Sequence, residues 1–349
     1  IITNFRRSSM PYTIRDVAAR AGVSVSTVSK VLNGWTSISG ETAERVNRIV
    51  QELHYIPNAR AVNFARKSSK NIVFLTSLEK EEAYKNPHMF DIMCGVYHEL
   101  SKYEYNVTMQ DISQEKYAGE TAENIISQCS ADGIVVHGSA LNRKTADLIT
   151  QKGFPHTVIG NPPFENQLCW VDTSHLLGGQ VAADYLLQCG YTSVAFIGGR
   201  ANDFISEQRL KGLRQIMLRS GHRMNTADII HTDSSRQAAY KAAFGLIHSE
   251  HCPQVIVCED NLIALSVSRA IEHSGLSVPG DIAFVTFDRY PYADIIDPLP
   301  TIIDIDVYAL GELAGKTIAQ KLANPLLLVQ SYSTLPVVIQ GQTTRQPTA

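Results

Sequence analysis

Apolar and polar positions follow two rhythms along this chain. Over residues 13–33, Ile14, Val17, Ala18 and Ala21 recur at helical spacing, and Val25, Val28, Val31 and Leu32 repeat the pattern after a short break. Thr13 and Asp16 have the spacing of a capping box, which predicts a helix start at Thr13. Gly22 can take the left-handed conformation that ends a helix. Ser24 suits the N-cap of a second helix, and Asn33-Gly34 stops it. Two short helices joined by a turn of this length predict a helix-turn-helix, whose second helix fits a DNA major groove. Ser39 then caps a third pattern with Ala43, Val46, Ile49, Val50 and Leu53 as its stripe. Three such helices make a core of about fifty residues, near the lower limit for independent stability. Pro57 opens the segment NARAVNFARK, a short helical stretch that is marginal in isolation. A linker that orders only under some conditions is a natural switch element.

From Asn71 the rhythm changes. Strand-like apolar runs stand at 72–78, 107–112, 133–138, 156–161, 193–199, 255–260 and 282–288. Helical stretches at 89–103, 119–129, 142–152, 178–189, 206–220, 235–249 and 261–274 separate them. This alternation predicts parallel sheets covered on both faces, in two doubly wound subdomains. Ligands in such folds sit at the carboxyl ends of the strands.

Charge sharpens the picture. Residues 1–70 hold eleven Lys or Arg against four Asp or Glu, a balance of +7, while the whole 349-residue chain carries −3. A basic head on an acidic body localises attraction for phosphate at one end. The cysteines, Cys94, Cys129, Cys169, Cys189, Cys252 and Cys258, show no C-x-x-C or zinc-finger spacing, so buried free thiols in a reducing cytosol are expected, with no metal and no cofactor. No run approaches eighteen apolar residues and no signal segment follows the N-terminus, so a cytoplasmic protein without a membrane partner is expected. Residues 1–9 read as an upstream extension or a cloning remnant.

These features together resemble the lactose-repressor (LacI/GalR) family of bacterial transcription regulators. The pattern T-I-x-D-V-A-x-x-A-G-V-S-x-x-T-V-S-x-V-L-N-G runs without a gap from Thr13 to Gly34. Y-x-P-N at 55–58 matches the start of the family's hinge helix. Asn86-Pro87 before Gly95, D-x-x-x-x-x-G-G from Asp172, R-L-x-G from Arg209 and V-P-x-D-I-A-x-V-x-F-D from Val278 to Asp288 match in the body. The resemblance implies a small all-α helix-turn-helix head on an α/β body similar to periplasmic binding proteins. The expected boundaries are 1–10 for the extension, 11–57 for the DNA-binding domain and 58–70 for hinge helix and linker. The effector-binding and dimerisation body is 71–349. Within it, the N-subdomain is about 71–171 and 302–332, and the C-subdomain about 172–301 and 333–349.

For DNA, Val25, Ser26 and Lys30 would read bases from the second helix. Lys30 suits guanine O6 or N7, Ser26 several base edges, and Val25 a thymine methyl. Thr13, Ser24, Thr27, Ser29, Asn33 and Asn58 would hold phosphates. The family usually has Ala-Arg-x-Leu in the hinge, with the leucine wedged into the minor groove; the corresponding residues here are Ala61, Val62, Asn63 and Phe64. Phe64 reads as the wedge or as a residue packed on the body. The arginine usual at 62 is valine, and Arg60 or Arg66 are its candidate substitutes.

In the body, the resemblance assigns Asp172, Arg209, Asp260 and Asp288 to the effector cleft. Carboxylates and a forked guanidinium suit pairs of sugar hydroxyls. Asp172 reads alternatively as a cap, and Asp281 as a turn residue. The chain departs from the family where Asp260-Asn261 replaces Asn-Asp, His88-Met89 replaces the usual aromatic pair, and Ser234 replaces another aromatic. Segment 79–85, EKEEAYK, reads as a surface loop or a lid over the cleft.

The expected protein is a homodimeric repressor of double-stranded operator DNA, controlled by a small effector, above all a sugar. The chain ends in QGQTTRQPTA without a tetramer-forming heptad tail. A nucleobase or phosphorylated corepressor is the alternative ligand. A solute-binding receptor leaves the basic head unexplained, and an enzyme finds no P-loop, G-x-S-x-G or Rossmann fingerprint.

Overall fold

The computed structural model describes residues 12–35, 37–55, 68–78, 88–112, 115–128, 130–233, 235–289, 292–328 and 330–347. Asn58, Ala61 and Phe64 of the expected hinge lie outside the described residues, as do loop 79–85, Cys129 and Ser234. Two compact units are present. The first reaches Asn71 and takes in the short stretch ending at Asp132; the second holds Ile72–Gln128 and everything from Gly133 onward.

The first unit contains α1 (Ile14–Ala21), α2 (Val25–Leu32) and α3 (Gly40–Glu52). The Asp16 carboxylate accepts the Thr13 N–H and hydroxyl, each at 2.7 Å, which fixes the start of α1. Gly22, at φ +64°, ends it. The Ser24 hydroxyl accepts the Thr27 N–H at 3.1 Å and starts α2. Val17, Ala18, Ala21, Val28, Val46 and Leu53 fill the space between the helices. Further along, the Asp132 carboxylate accepts the Ser69 N–H and hydroxyl (2.6 and 2.8 Å), the Lys70 N–H (3.1 Å) and the Ser68 hydroxyl.

The second unit begins with β1 (Asn71–Thr76), α4 (Met89–Ser101), β2 (Asn106–Asp111), α5 (Glu115–Ser127), β3 (Gly133–His137), α6 (Arg143–Lys152), β4 (His156–Ile159) and β5 (Trp170–Thr173). Then come α7 (His175–Gln188), β6 (Val194–Gly198), α8 (Phe204–Arg219), β7 (Ile229–His231), α9 (Arg236–Ile247), β8 (Val255–Cys258), α10 (Asn261–His273), β9 (Ala283–Phe287) and β10 (Thr301–Asp304). The chain closes with α11 (Val307–Ala323), β11 (Tyr332–Thr334) and β12 (Val337–Ile339).

Two six-stranded sheets result, ordered β11-β5-β4-β3-β1-β2 and β12-β10-β9-β8-β6-β7. The central strands pair in parallel, and β12 runs antiparallel to β10. Their continuous Val, Ile and Phe runs are buried along their length because helices cover both faces. The chain passes from one sheet to the other after β5, between β10 and α11, and between β11 and β12. Strands β5, β7, β10, β11 and β12 and helix α11 had no counterpart in the sequence pattern. The five strands are three or four residues long, too short for a run to stand out, and most include polar positions. Of the described cysteines, Cys169, Cys189 and Cys258 are buried, Cys94 is half-buried and Cys252 is exposed, so burial does not extend to all of them. No described helix is long and apolar enough to cross a membrane.

Candidate functional site

In the head, Ser26 and Lys30 are exposed on the side of α2 opposite Val28, Val31 and Leu32, which face the core, and Val25 is exposed at the margin between the two sides. Ser29 shares that margin, half-buried. The Ser24 hydroxyl lies 2.8 Å from both Ser26 Oγ and Thr27 Oγ1, forming one polar cluster at the N-terminus of α2. Asn33 donates its amide to the Ser29 carbonyl at 2.8 Å, so its side chain also serves the helix end. The Thr13 hydroxyl proton is held by Asp16, and a phosphate would have to displace that contact.

In the second unit, the carboxyl ends of β5, β6, β8 and β9 and the starts of α4, α7, α8 and α10 bring Asp172, Arg209, Asp260 and Asp288 into one charged neighbourhood. Arg209 is buried. It donates through Nη1 to the Glu259 carbonyl at 2.7 Å, places Nη2 3.4 Å from Asp288 Oδ2, and lies 4.2 Å from the centre of the Phe287 ring. Asp288 follows β9 in the left-handed conformation at φ +65°, which an aspartate tolerates better than most residues. Asn261 donates to its carbonyl at 3.2 Å. Burial would raise the Asp288 carboxyl, but the Arg209 guanidinium, aided by His88 and His175, holds it down at about 2.

Asp260 and Asp172 carry structural contacts as well. Asp260 caps α10, its Oδ1 accepting the Ile263 N–H at 2.7 Å. Burial, reinforced by the charges of Glu259 and Asp288, pushes its carboxyl up to about 6. Asp172 accepts the Asn161 and Thr173 N–H groups at 2.8 and 2.7 Å, with His175 Nε2 at 3.5 Å. Burial would raise this carboxyl, and the His175 contact with those two N–H groups lowers it instead.

Histidines complete the site, and sequence reasoning assigned none of them to it. His88, at the start of α4, places Nε2 3.4 Å from Asp288 Oδ2. His137 ends β3; its packed surroundings lower its pKa to about 4, so it is neutral near pH 7. The signal for His88 was visible, because it stands directly after Asn86-Pro87, where the family carries a ring. Among the described residues, five buried polar atoms in this region make no hydrogen bond: His88 Nδ1, His175 Nδ1, Ser206 Oγ, Arg209 Nε and Asp288 Oδ1. Buried donors and acceptors without partners are costly, and a ligand that supplied them would bind with that gain. A cavity of about 310 Å³ adjoins the cluster, lined by His88, Asp288 and the crossing segment Asp304–Tyr308 among others. That volume is at the small end of ligand sites.

Comparisons with known proteins agree with both halves. Residues 13–58 match the profile of bacterial regulatory proteins of the lacI family, and residues 183–344 match the periplasmic binding protein-like domain. The HTH-type transcriptional regulator MalR of Staphylococcus xylosus is 24% identical over 327 residues, spanning 94% of this chain and 96% of its own. The ribose operon repressor of Escherichia coli (strain K12) is 26% identical over 329 residues, spanning 94% and 98%. Among solved structures, the lac repressor dimer bound to operator and the anti-inducer ONPF superposes with a TM-score of 0.80 at 22% identity, over 96% of this chain and 100% of that one. A complex of the transcriptional regulator CelR with cellobiose gives 0.69 at 22% identity, over 95% and 99%.

Proposed function

We propose that this chain is a sugar-responsive transcriptional repressor of the LacI type, acting as a homodimer on a near-palindromic operator. Helix α2 enters the major groove, where Val25, Ser26 and Lys30 read base edges. Ser24, Thr27 and Ser29 hold phosphates, with Thr13, Asn33 and Asn58 as further backbone contacts. A two-fold dimer sets two such helices about one turn of DNA apart. Ala61 and Phe64 form the minor-groove element of the hinge, Phe64 as the wedge.

The observation that carries the ligand half is the buried Arg209–Asp288 pair, beside buried polar atoms that lack partners. Neighbouring hydroxyls of a sugar can donate to Asp288 and accept from Arg209 and the histidines at once. Asp172 and Asp260 frame that pocket through the backbone they hold. Asp91, Asp294, Asp304 and Asp306 also line the adjoining cavity, with Arg289 paired to Asp294 at 3.3 Å, and this predominantly acidic surface favours a neutral polyol over a phosphorylated corepressor. Effector binding shifts the population of two body conformations only by its differential affinity for them, and so changes operator affinity.

A thermal-shift panel of sugars, sugar phosphates and nucleobases tests this reading, since a ligand of the native state raises the unfolding midpoint. The expected result is a shift with one sugar class that Arg209→Ala abolishes, while binding to a selected duplex persists. A shift only with phosphates or nucleobases would replace the sugar. Arg209→Ala retaining the full response would remove the assignment of the pocket.

A further inference from the structure

One large aromatic side chain in the head has no place in its core. Trp35 is 59% exposed, while the buried residues between the three helices are all aliphatic, with Tyr55 packed against their edge. Its position is nonetheless fixed by the end of α2. Gly34, at φ +72°, donates its N–H to the Val31 carbonyl at 3.0 Å, and the Trp35 N–H reaches back to the Lys30 carbonyl at 3.0 Å. This pair of bonds is a Schellman motif, which brings the residue two beyond the cap against the third residue from the helix end. Those two residues are Trp35 and Lys30. The Lys30 ammonium accordingly stands 5.9 Å from the centre of the Trp35 ring.

We propose that Trp35 is a positioning residue of the operator-reading surface, its indole face steering the Lys30 ammonium toward its base edge and becoming covered when DNA binds. This rests on the reading of α2 as the recognition helix. The physical case has three parts. Lys30 is exposed on a flexible four-carbon stem, and aiming it in water loses side-chain entropy; a ring carried by a backbone held beside it narrows the choice before DNA arrives. A cation over an indole face is favourable even at an exposed site. An indole also combines a flat apolar face with an N–H donor, which suits the sugar and phosphate wall of a groove. A hydrophobic contact that merely closes the helix end would serve equally well with an aliphatic residue, and this separates the two roles experimentally.

The probe is a duplex selected by the full-length chain from a randomised palindromic library. The chain has two tryptophans, so Trp170→Phe leaves Trp35 as the only one. Acrylamide quenching of its emission should fall when that duplex is added. Trp35→Leu should weaken binding by about two- to five-fold, the size of an exposed cation–π contact, and flatten the preference at a single base pair in each half-site. Trp35→Phe should retain that preference, and Lys30→Ala should flatten the same base pair with or without Trp35. Unchanged quenching in a complex verified by mobility shift would overturn the proposal, as would a wild-type preference profile for Trp35→Leu. If the wild-type chain selects no duplex at all, the reading of α2 falls with it; selection without protection of Trp35 sinks the proposal alone.

Discussion

One carboxylate oxygen, Asp288 Oδ2, is shared between His88 Nε2 and Arg209 Nη2, each 3.4 Å away. His88 starts α4, which packs with α11 on the first sheet, whereas Arg209 belongs to α8 beside the second. Asp288 is therefore the point where groups from the two sheets meet. The other oxygen of the same carboxylate makes no hydrogen bond with any described residue. A ligand hydroxyl that donated to it would join that meeting point directly, which links binding chemistry to the relation between the sheets.

Asp288→Asn should destabilise the body, because it leaves the Arg209 guanidinium buried without its charge partner. The loss should be on the order of 3 kcal/mol, the range for breaking a buried pair from one side. Urea unfolding at neutral pH measures it. The carboxyl is held down at about 2, so the wild-type advantage is present above the ordinary carboxylate range near pH 4 and fades as pH falls toward 2. An equal stability of the two proteins at neutral pH would show that Arg209 is neutralised by something else.

Asp260 titrates in the opposite sense. Burial and its acidic neighbours raise it to about 6, so between about pH 4 and 6 the folded protein holds a proton that the unfolded chain has lost. Stability attributable to this group should fall as pH rises through that window. Asp260→Asn keeps a good N-cap for the Ile263 N–H while removing the charge, so it should flatten this slope. Chemical unfolding of both proteins at a series of pH values reads the difference.

The head was legible almost residue by residue, because its information is local. Thr13, Asp16, Gly22, Ser24 and Asn33 act within four residues of themselves, and each holds the place its chemistry suggested. The central strands were legible because apolar runs buried on both faces leave no alternation to misread. Arg209 and Asp288 came from the family pattern, but their pairing spans 79 positions and no periodicity reports it. His137 and His175 were hidden for the same reason: they join His88 in a group only once three strand ends converge. Asp260 and Asp172 illustrate the remaining ambiguity, since a carboxylate at a strand end can hold backbone, ligand or both.

Asp132 should govern how firmly the chain just beyond the hinge is held. Its carboxylate gathers the hydroxyls of Ser68 and Ser69 and the N–H groups of Ser69 and Lys70. Asp132→Ala removes every one of those acceptors at once. Trypsin cleavage after Lys70, followed by mass spectrometry, should become faster than in the wild-type chain, because cleavage samples the locally opened state. Asp132→Asn, which keeps one acceptor oxygen, should fall between the two. Equal rates in all three would show that this segment is held by other contacts.

Gly179 sets where Arg209 can stand. A Cβ at 179 would lie 1.9 Å from the Arg209 carbonyl oxygen, and one at Gly212 would lie 2.0 Å from the Leu176 carbonyl oxygen. Helices α7 and α8 therefore touch backbone to backbone, and neither site has a flexible side chain that could yield. Gly179→Ala should force the helices apart, costing about 1–3 kcal/mol or more as overpacking does. The displacement falls on the turn that carries Arg209, so the effector-induced thermal shift should shrink further than the stability loss alone explains. Gly245→Ala in α9 is the matched control: that glycine is exposed with nothing within 4 Å, and alanine there should stabilise by about 0.5–1 kcal/mol. Urea unfolding and the sugar thermal-shift response, measured on both variants, test the pair. A Gly179→Ala protein with wild-type stability and an intact response would show that the helices can separate without moving Arg209.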